Sequence, residues 1–308
     1  AWRLAYYGRL LPNSFAVKSP GLTPLARGAG YLGHAALELH LLVALAAVAF
    51  AAFAHRAHPR GRDAALIAAI ALPYLGYICT TGGDFMPLYR FVVPILPLLC
   101  LAGALAFAPA AAGRAAAPPR ALAGVAWLVL LAYAGLSAAA SRRQLGIWAE
   151  GDLTSVGWAR EDTRNWTRVG TLLRDATLPT DTIATTAAGI IPYLSGRPTI
   201  DLLGLMAPDL TRYRRRATDR PGHRLLLSEA ELYRAPPPIL LGHPLVLPQQ
   251  RGIGLSLDLD DAWRGRILAR YQTIGMRLPG EPPRYFALAL RNDVADRVIE
   301  AAGRAIER

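Results

Sequence analysis

Within the segment Thr80–Arg90, TTGGDFMPLYR, one carboxylate and one guanidinium stand six residues apart behind a pair of glycines. A carboxylate at a membrane surface can orient a hydroxyl or take its proton, and an arginine can clamp a phosphate with two parallel N–H bonds. Gly82 and Gly83 permit backbone conformations that other residues resist. Asp84 is therefore a candidate acid–base group and Arg90 a candidate phosphate contact. A tight turn closed by an Asp–Arg pair is the plainer reading of the same residues. A second stretch, Trp2–Pro20, carries Arg3, Tyr6, Tyr7 and Arg9, types suited to the membrane–water interface, followed by Asn13 and Lys18. Lys18 is the one lysine beside 33 arginines, and a compact ammonium suits a phosphate. Chance survival accounts for a lone lysine as well.

Other residues invite weaker readings. Glu38 and His40 fall about one turn inside an apolar run, where an ionisable pair suggests function or simply snorkels to the surface. Asp201 interrupts the apolar PTIDLLGL and would meet a hydroxyl-rich ligand or face solvent from a strand. The cluster Arg212–Arg220 reads as a solvated loop before it reads as a lipid-phosphate contact. Trp148, Trp158 and Trp166 suit packing better than sugar stacking. Cys79 and Cys100 lie in apolar runs, and none of the six histidines forms a clear ligand pair. There is no Walker sequence, G-x-G-x-x-G, nucleophile elbow, C-x-x-C or H-E-x-x-H. No metal set and no cofactor are assigned, since one Asp in a loop does not define a cation site.

The elements that must position these groups divide the chain in two. Spanning a hydrocarbon core of about 30 Å takes roughly 20 apolar residues as helix. Ala35–Ala54, Ala64–Cys79 (short, with Thr80 and Thr81 able to extend it), Phe91–Pro109 and Ala121–Ala140 meet or approach that length. Residues 1–140 are thus expected to form a membrane region of about four transmembrane helices. Arg56, Arg60 and Arg62 in the first connection, and Arg114 and Arg120 in the third, assign those loops to the cytoplasm. Residues 1–34, the 80–90 loop and everything after Ala140 are then outside, although Arg142 and Arg143 run against the rule. Pro73, Pro94 and Pro97 would kink the helices beside the 80–90 loop and open a cavity at the outer leaflet, unless packing alone requires them.

Residues 141–308 have another texture, with turns every 10–20 residues and short alternating runs. Trp166, Val169, Leu172 and Leu173 share a helical face within Thr163–Leu178. Thr182–Thr186, Pro198–Leu203, Ile239–Leu241, Leu245–Leu247 and Tyr285–Leu290 read as strands, with a short helix over Ala187–Leu194. Asn292 or Asp293 is expected to cap a last helix through Ile306. Strand and helix alternate, so a soluble extracytoplasmic α/β domain follows the membrane region. The net charge of +12 does not indicate a nucleic-acid partner. Residues 141–308 carry 24 basic and 19 acidic groups, a mixed surface and not a basic tract.

Three stretches, YYGRLLPNSFAVK, GGDFMPLYRFVVPILP and ATTAAGIIPYLSGRPTIDLLGL, together resemble one branch of the GT-C superfamily of membrane glycosyltransferases. That branch includes the terminal arabinofuranosyltransferases of cell-wall arabinan, and the likeness runs from about Tyr6 to at least Leu205. The resemblance implies a multi-pass protein of the cytoplasmic (inner) membrane that moves a sugar from a polyprenyl-phosphate donor to a cell-envelope glycan or lipid acceptor outside. Its partners would be membrane lipid, the lipid-linked sugar and the glycan. It also implies a principal catalytic acid in an earlier outer loop, so the chain is expected to be the C-terminal part of a longer protein. On this view Asp84 is the catalytic candidate within the chain, and Tyr7, Asn13, Lys18 and Arg90 are the substrate-binding candidates. The alternative is a non-catalytic glycan-binding or envelope-assembly component of the membrane. A lipid-linked oligosaccharide ligase or polymerase would share the site logic with another donor.

Overall fold

The computed structural model describes residues 2–8, 17, 22–39, 59–84, 89–107, 156–207, 209–216, 222–250 and 254–307, with single residues among 41–49 and 128–139. The chain divides into two units, Ser19–Trp158 and Ala1–Lys18 with Ala159–Arg308. Helix α1 (Trp2–Tyr7) belongs to the second of these.

In Ser19–Trp158, α2 (Leu22–Glu38) and α3 (Pro59–Thr81) are followed by a 3-10 turn, Val93–Ile95, that leads into α4 (Leu96–Phe107). Ala35, Ile67, Ile78, Val92, Ile95 and Leu99 form the shared core. Gly28 lets α2 approach α3 closely, because a Cβ there would lie 2.4 Å from the Cys79 carbonyl oxygen. Proline at the first position suits the start of α3, where its missing N–H would have no helical partner. Of the described residues, Gly61–Thr81 alone forms a helix long and apolar enough to cross a membrane.

The helices depart from the expected spans in instructive ways. The second is longer than Ala64–Cys79 and takes in Thr80 and Thr81. The third begins with the 3-10 turn because Pro94 and Pro97 deny it N–H donors, and its α-helical part is Leu96–Phe107. Residues 22–34, expected as part of an outer loop, are helical in α2. Most of Ala35–Ala54 beyond Leu39, and most of Ala121–Ala140, lie outside the described residues.

The second unit is built on a mixed sheet. Its strands are β1 (Ile183–Thr185), β2 (Thr199–Asp201), β5 (Ile239–Gly242), β6 (Val246–Leu247), β7 (Tyr271–Arg277) and β8 (Tyr285–Arg291). β2, β1 and β5 run parallel, while β8 runs antiparallel to β5, β6 and β7. β3 (Tyr213–Arg215) and β4 (Leu225–Leu227) make a separate antiparallel pair. Alternation along the strands loads both faces, as the period of two requires. Ile183, Ile239, Leu241, Phe286 and Leu288 pack on one side with α5 (Val156–Ala176), α6 (Ile190–Ser195) and the amphipathic α9 (Ala295–Glu307). Ala184, Leu240 and Ala289 pack on the other with β4, α7 (Glu229–Arg234) and α8 (Asp261–Leu268). The expected face of Trp166, Val169, Leu172 and Leu173 is the one that α5 buries.

Two polar devices hold the layers. Arg197 satisfies the last carbonyls of α5, donating to Arg174 O at 2.6 Å and Thr177 O at 2.7 Å. Across the sheet, Arg214 reaches Glu229, a buried residue at the start of α7, through Nη2 at 2.6 Å. Where a solvated loop was expected over Arg212–Arg220, Tyr213–Arg215 is a strand and the flanking Arg212 and Arg216 pair with Glu231 and Asp258, while residues 217–220 lie outside the described residues.

Candidate functional site

The turn after α3 is built by its two glycines. Gly82 and Gly83 adopt φ of +81° and +71°, the left-handed region that side chains disfavour. Gly83 N donates to Ile78 O at 3.1 Å and Gly82 N to Cys79 O at 3.2 Å. This 6→1 and 5→2 pair closes the helix end by satisfying two of its orphan carbonyls. Gly83 has a second constraint, since a Cβ there would come within 2.6 Å of Tyr31 on α2.

The turn presents Asp84 to Arg90. Arg90 Nε donates to Asp84 Oδ2, and Nη2 donates to Oδ1 at 3.2 Å, a forked pair. The Asp84 side chain is 2% exposed and that of Arg90 51%, so the carboxylate is covered while the guanidinium faces out. Tyr89, with φ of +46°, turns the chain just before Arg90 and meets Tyr31 edge-on at 5.4 Å. Arg27 Nη1, one helical turn before Tyr31 on α2, is buried without a hydrogen-bond partner among the described residues. Such an orphan costs on the order of 1–3 kcal/mol, which a ligand could relieve.

Asp84 and Arg90 are thus brought together as a tight turn closed by an Asp–Arg pair, the plainer of the two readings of this segment. Tyr7 lies at the end of α1, in the other unit. Asn13 and Lys18 lie outside the described residues, as does His40, while Glu38 closes α2. Asp201 takes neither expected role: it is buried and accepts bonds from Leu203 N and Met206 N, both at 2.9 Å, as the cap of a turn. Trp166 packs behind an imidazole, edge-on to His243 at 5.9 Å, and donates to Pro244 O at 3.1 Å. Cys79 and Cys100 are free thiols.

A second polar site was missed in the sequence. A cavity of about 570 Å³ opens where β2, β1 and β5 end, lined by Leu203 after β2, Thr186 after β1 and His243 after β5. β1 connects to β2 on one side, and the chain then returns to place β5 on the other. That reversal is where open parallel sheets leave a crevice at their carboxyl ends. Gly242, with φ of +62°, allows the Ser256 carbonyl into the space where a Cβ would be, 2.4 Å away. His243 N then donates to Ser256 O at 2.8 Å, and Thr186 Oγ1 lies 2.9 Å from His243 Nδ1. His223, Arg216, Asp258 and Arg264 complete the polar lining. The strand-end positions of Thr186 and His243 were the available signal, since TIATT and ILLGH both read as strands running into turns. Only the pairing order, which sequence does not display, puts them side by side.

A family model described as a domain of unknown function, DUF8728, matches residues 155–285, less than half the chain. Every residue named as lining the cavity falls inside that match, and Asp84 and Arg90 fall outside it. Neither curated proteins nor solved structures give a match to the chain.

Proposed function

We propose that the chain works in an integral-membrane glycosyltransferase that moves a sugar, for which the arabinofuranosyltransferase resemblance suggests a pentofuranose, from a polyprenyl-phosphate donor to an envelope glycan or lipid. Transfer takes place on the outer face of the cytoplasmic membrane. The observation that carries this reading is the outward guanidinium of Arg90, held by Asp84 on a glycine turn at the end of a helix able to span a membrane. Exposed Leu66, Ile70, Leu72 and Tyr77 on that helix support a lipid-facing surface. The orphaned Arg27 Nη1 offers a further contact for an anion.

In the reaction, the bond from the anomeric carbon to the phosphate oxygen breaks and its electron pair stays with the phosphate. The acceptor hydroxyl oxygen bonds the anomeric carbon, and its proton passes to a carboxylate. Arg90 neutralises the departing phosphate. With both oxygens facing Arg90, Asp84 takes the proton only after Arg90 has moved onto the phosphate and uncovered it; before that its part is to position Arg90.

The test is transfer of labelled sugar from a decaprenyl-phosphate pentose in membranes containing the protein. Arg90→Ala should lower the rate on the order of 10²-fold, and Arg90→Lys less, because charge survives but the fork does not. Unchanged turnover in both Arg90→Ala and Asp84→Asn would overturn the reading. The polar cavity of the second unit favours one alternative, a non-catalytic glycan-binding or envelope-assembly component, in which Asp84 would be dispensable.

A further inference from the structure

We infer that the cavity at the carboxyl ends of β2, β1 and β5 is a binding site for an acidic saccharide, a monosaccharide-sized ring carrying a phosphate or carboxylate. This does not depend on transfer at Arg90, and either proposal can fail without the other. The argument starts from charge. Arg216 is matched by Asp258, with Nε donating at 2.8 Å. Arg264 has a carboxylate only at 3.9 Å, and that partner, Asp261, is fully exposed, so the pair is loose. Among the described lining residues there is therefore one guanidinium more than the carboxylate beside them neutralises, next to the imidazoles of His223 and His243. An arginine at the cavity with only so loose a carboxylate partner can fork onto an anionic group.

The remainder of the lining specifies what the anion is attached to. A cavity of about 570 Å³ is far larger than a phosphate ion and falls within the range of small-molecule sites. Thr186 and the two imidazoles can each donate or accept, according to the tautomer, and the Asp258 carboxylate can accept, a set that suits hydroxyl groups. Leucine side chains, among them Leu203, Leu226 and Leu255, supply an apolar wall for the carbon face of a ring. Among the described lining residues no Phe, Tyr or Trp is present to stack on a nucleobase, which favours a sugar over a nucleotide. The site is also built into the fold. Gly242 admits Ser256, Ser256 O fixes the His243 backbone, and Trp166 packs on the imidazole edge, so the His243–Thr186 pair is held in place.

The experiment is calorimetric titration of the full chain in detergent with glucose 6-phosphate, glucuronate, glucose and inorganic phosphate. Glucose 6-phosphate or glucuronate should bind at least tenfold more tightly than glucose and than inorganic phosphate; which of the two wins identifies the acidic group. Arg264→Gln, at a side chain 48% exposed and so tolerant of change, should weaken that binding at least tenfold, and Thr186→Val should weaken it too. Arg90→Ala should leave it unaltered. Failure of both acidic sugars to bind at 10 mM (roughly the weak limit of small-ligand recognition) would overturn the inference. So would glucose or inorganic phosphate binding equally well, or Arg264→Gln and Thr186→Val binding like the parent protein.

Discussion

Arg90 and Asp84 divide their labour by exposure: the carboxylate lies beneath the guanidinium and holds its fork toward the outside. Asp84→Asn keeps the shape while removing the charge, so it should weaken phosphate binding without unfolding the unit, which a melting curve beside the binding curve would separate. A different carboxylate offers a pH test. Burial pushes Asp162 up to about 6, with the neighbouring charge of Glu161 adding to the shift. A raised carboxyl stabilises the fold below its ordinary range, and that contribution is lost as pH rises through about 6. Asp162→Asn should therefore raise the melting temperature at pH 7.5 and change it little near pH 3.5, a value chosen as roughly the bottom of the carboxylate range. A shift of equal size at both pH values would show that charge is not the cause. For Glu229, burial pushes upward, but the Arg214 side chain and backbone N–H groups outweigh it and hold the carboxyl below its usual range. Stability from that pair is present above the carboxylate range and lost as acid protonates it.

Elements carry these residues to their places, and glycines decide two of the turns. Gly242→Ala would need a left-handed alanine with its Cβ 2.4 Å from Ser256 O, so a loss of about 2–3 kcal/mol is expected by thermal or denaturant unfolding. Gly265 lies within α8 with nothing near its would-be Cβ, and Gly265→Ala should gain about 0.5–1 kcal/mol. Equal effects from the two would contradict the turn's role. Arg214→Met leaves the Glu229 carboxylate buried without its cation and should cost about 2–3 kcal/mol, below the fully buried case because Arg214 is partly exposed. Elements were legible in the sequence where periodicity was strong: the α5 face, the β1, β5 and β8 runs and the Gly-Gly turn. Asn292 or Asp293 was expected to cap the last helix, but that helix begins at Ala295 and the Asp293 carboxylate is forked to Arg291 instead. β7, YQTIGMR, mixes polar and apolar residues because one face is open, and it becomes a strand by pairing along β8. β3 was obscured by the arginines in and beside it, of which Arg214, Arg212 and Arg216 find Glu229, Glu231 and Asp258 only once the chain has folded.

At the scale of the whole chain, a helix able to cross a membrane and an α/β unit with its own two cores stand in one polypeptide. From the loop charges the α/β unit is expected outside, and a phosphatase fused after Arg308 in a bacterial host should accordingly be active; an inactive but intact fusion would reverse the orientation. Asp84 and Arg90 were legible because they are close in sequence, whereas the cavity joins residues from Thr186 to Arg264 through strand order and was not. The most direct test of the membrane reading is equilibrium binding of decaprenyl phosphate to the purified chain in detergent, with decaprenol as the neutral control. Decaprenyl phosphate should bind at least tenfold more tightly than decaprenol, and Arg90→Ala should abolish most of that difference. Equal binding of the two lipids, or a preference untouched by Arg90→Ala, would contradict the assignment of Arg90 to a lipid-linked phosphate.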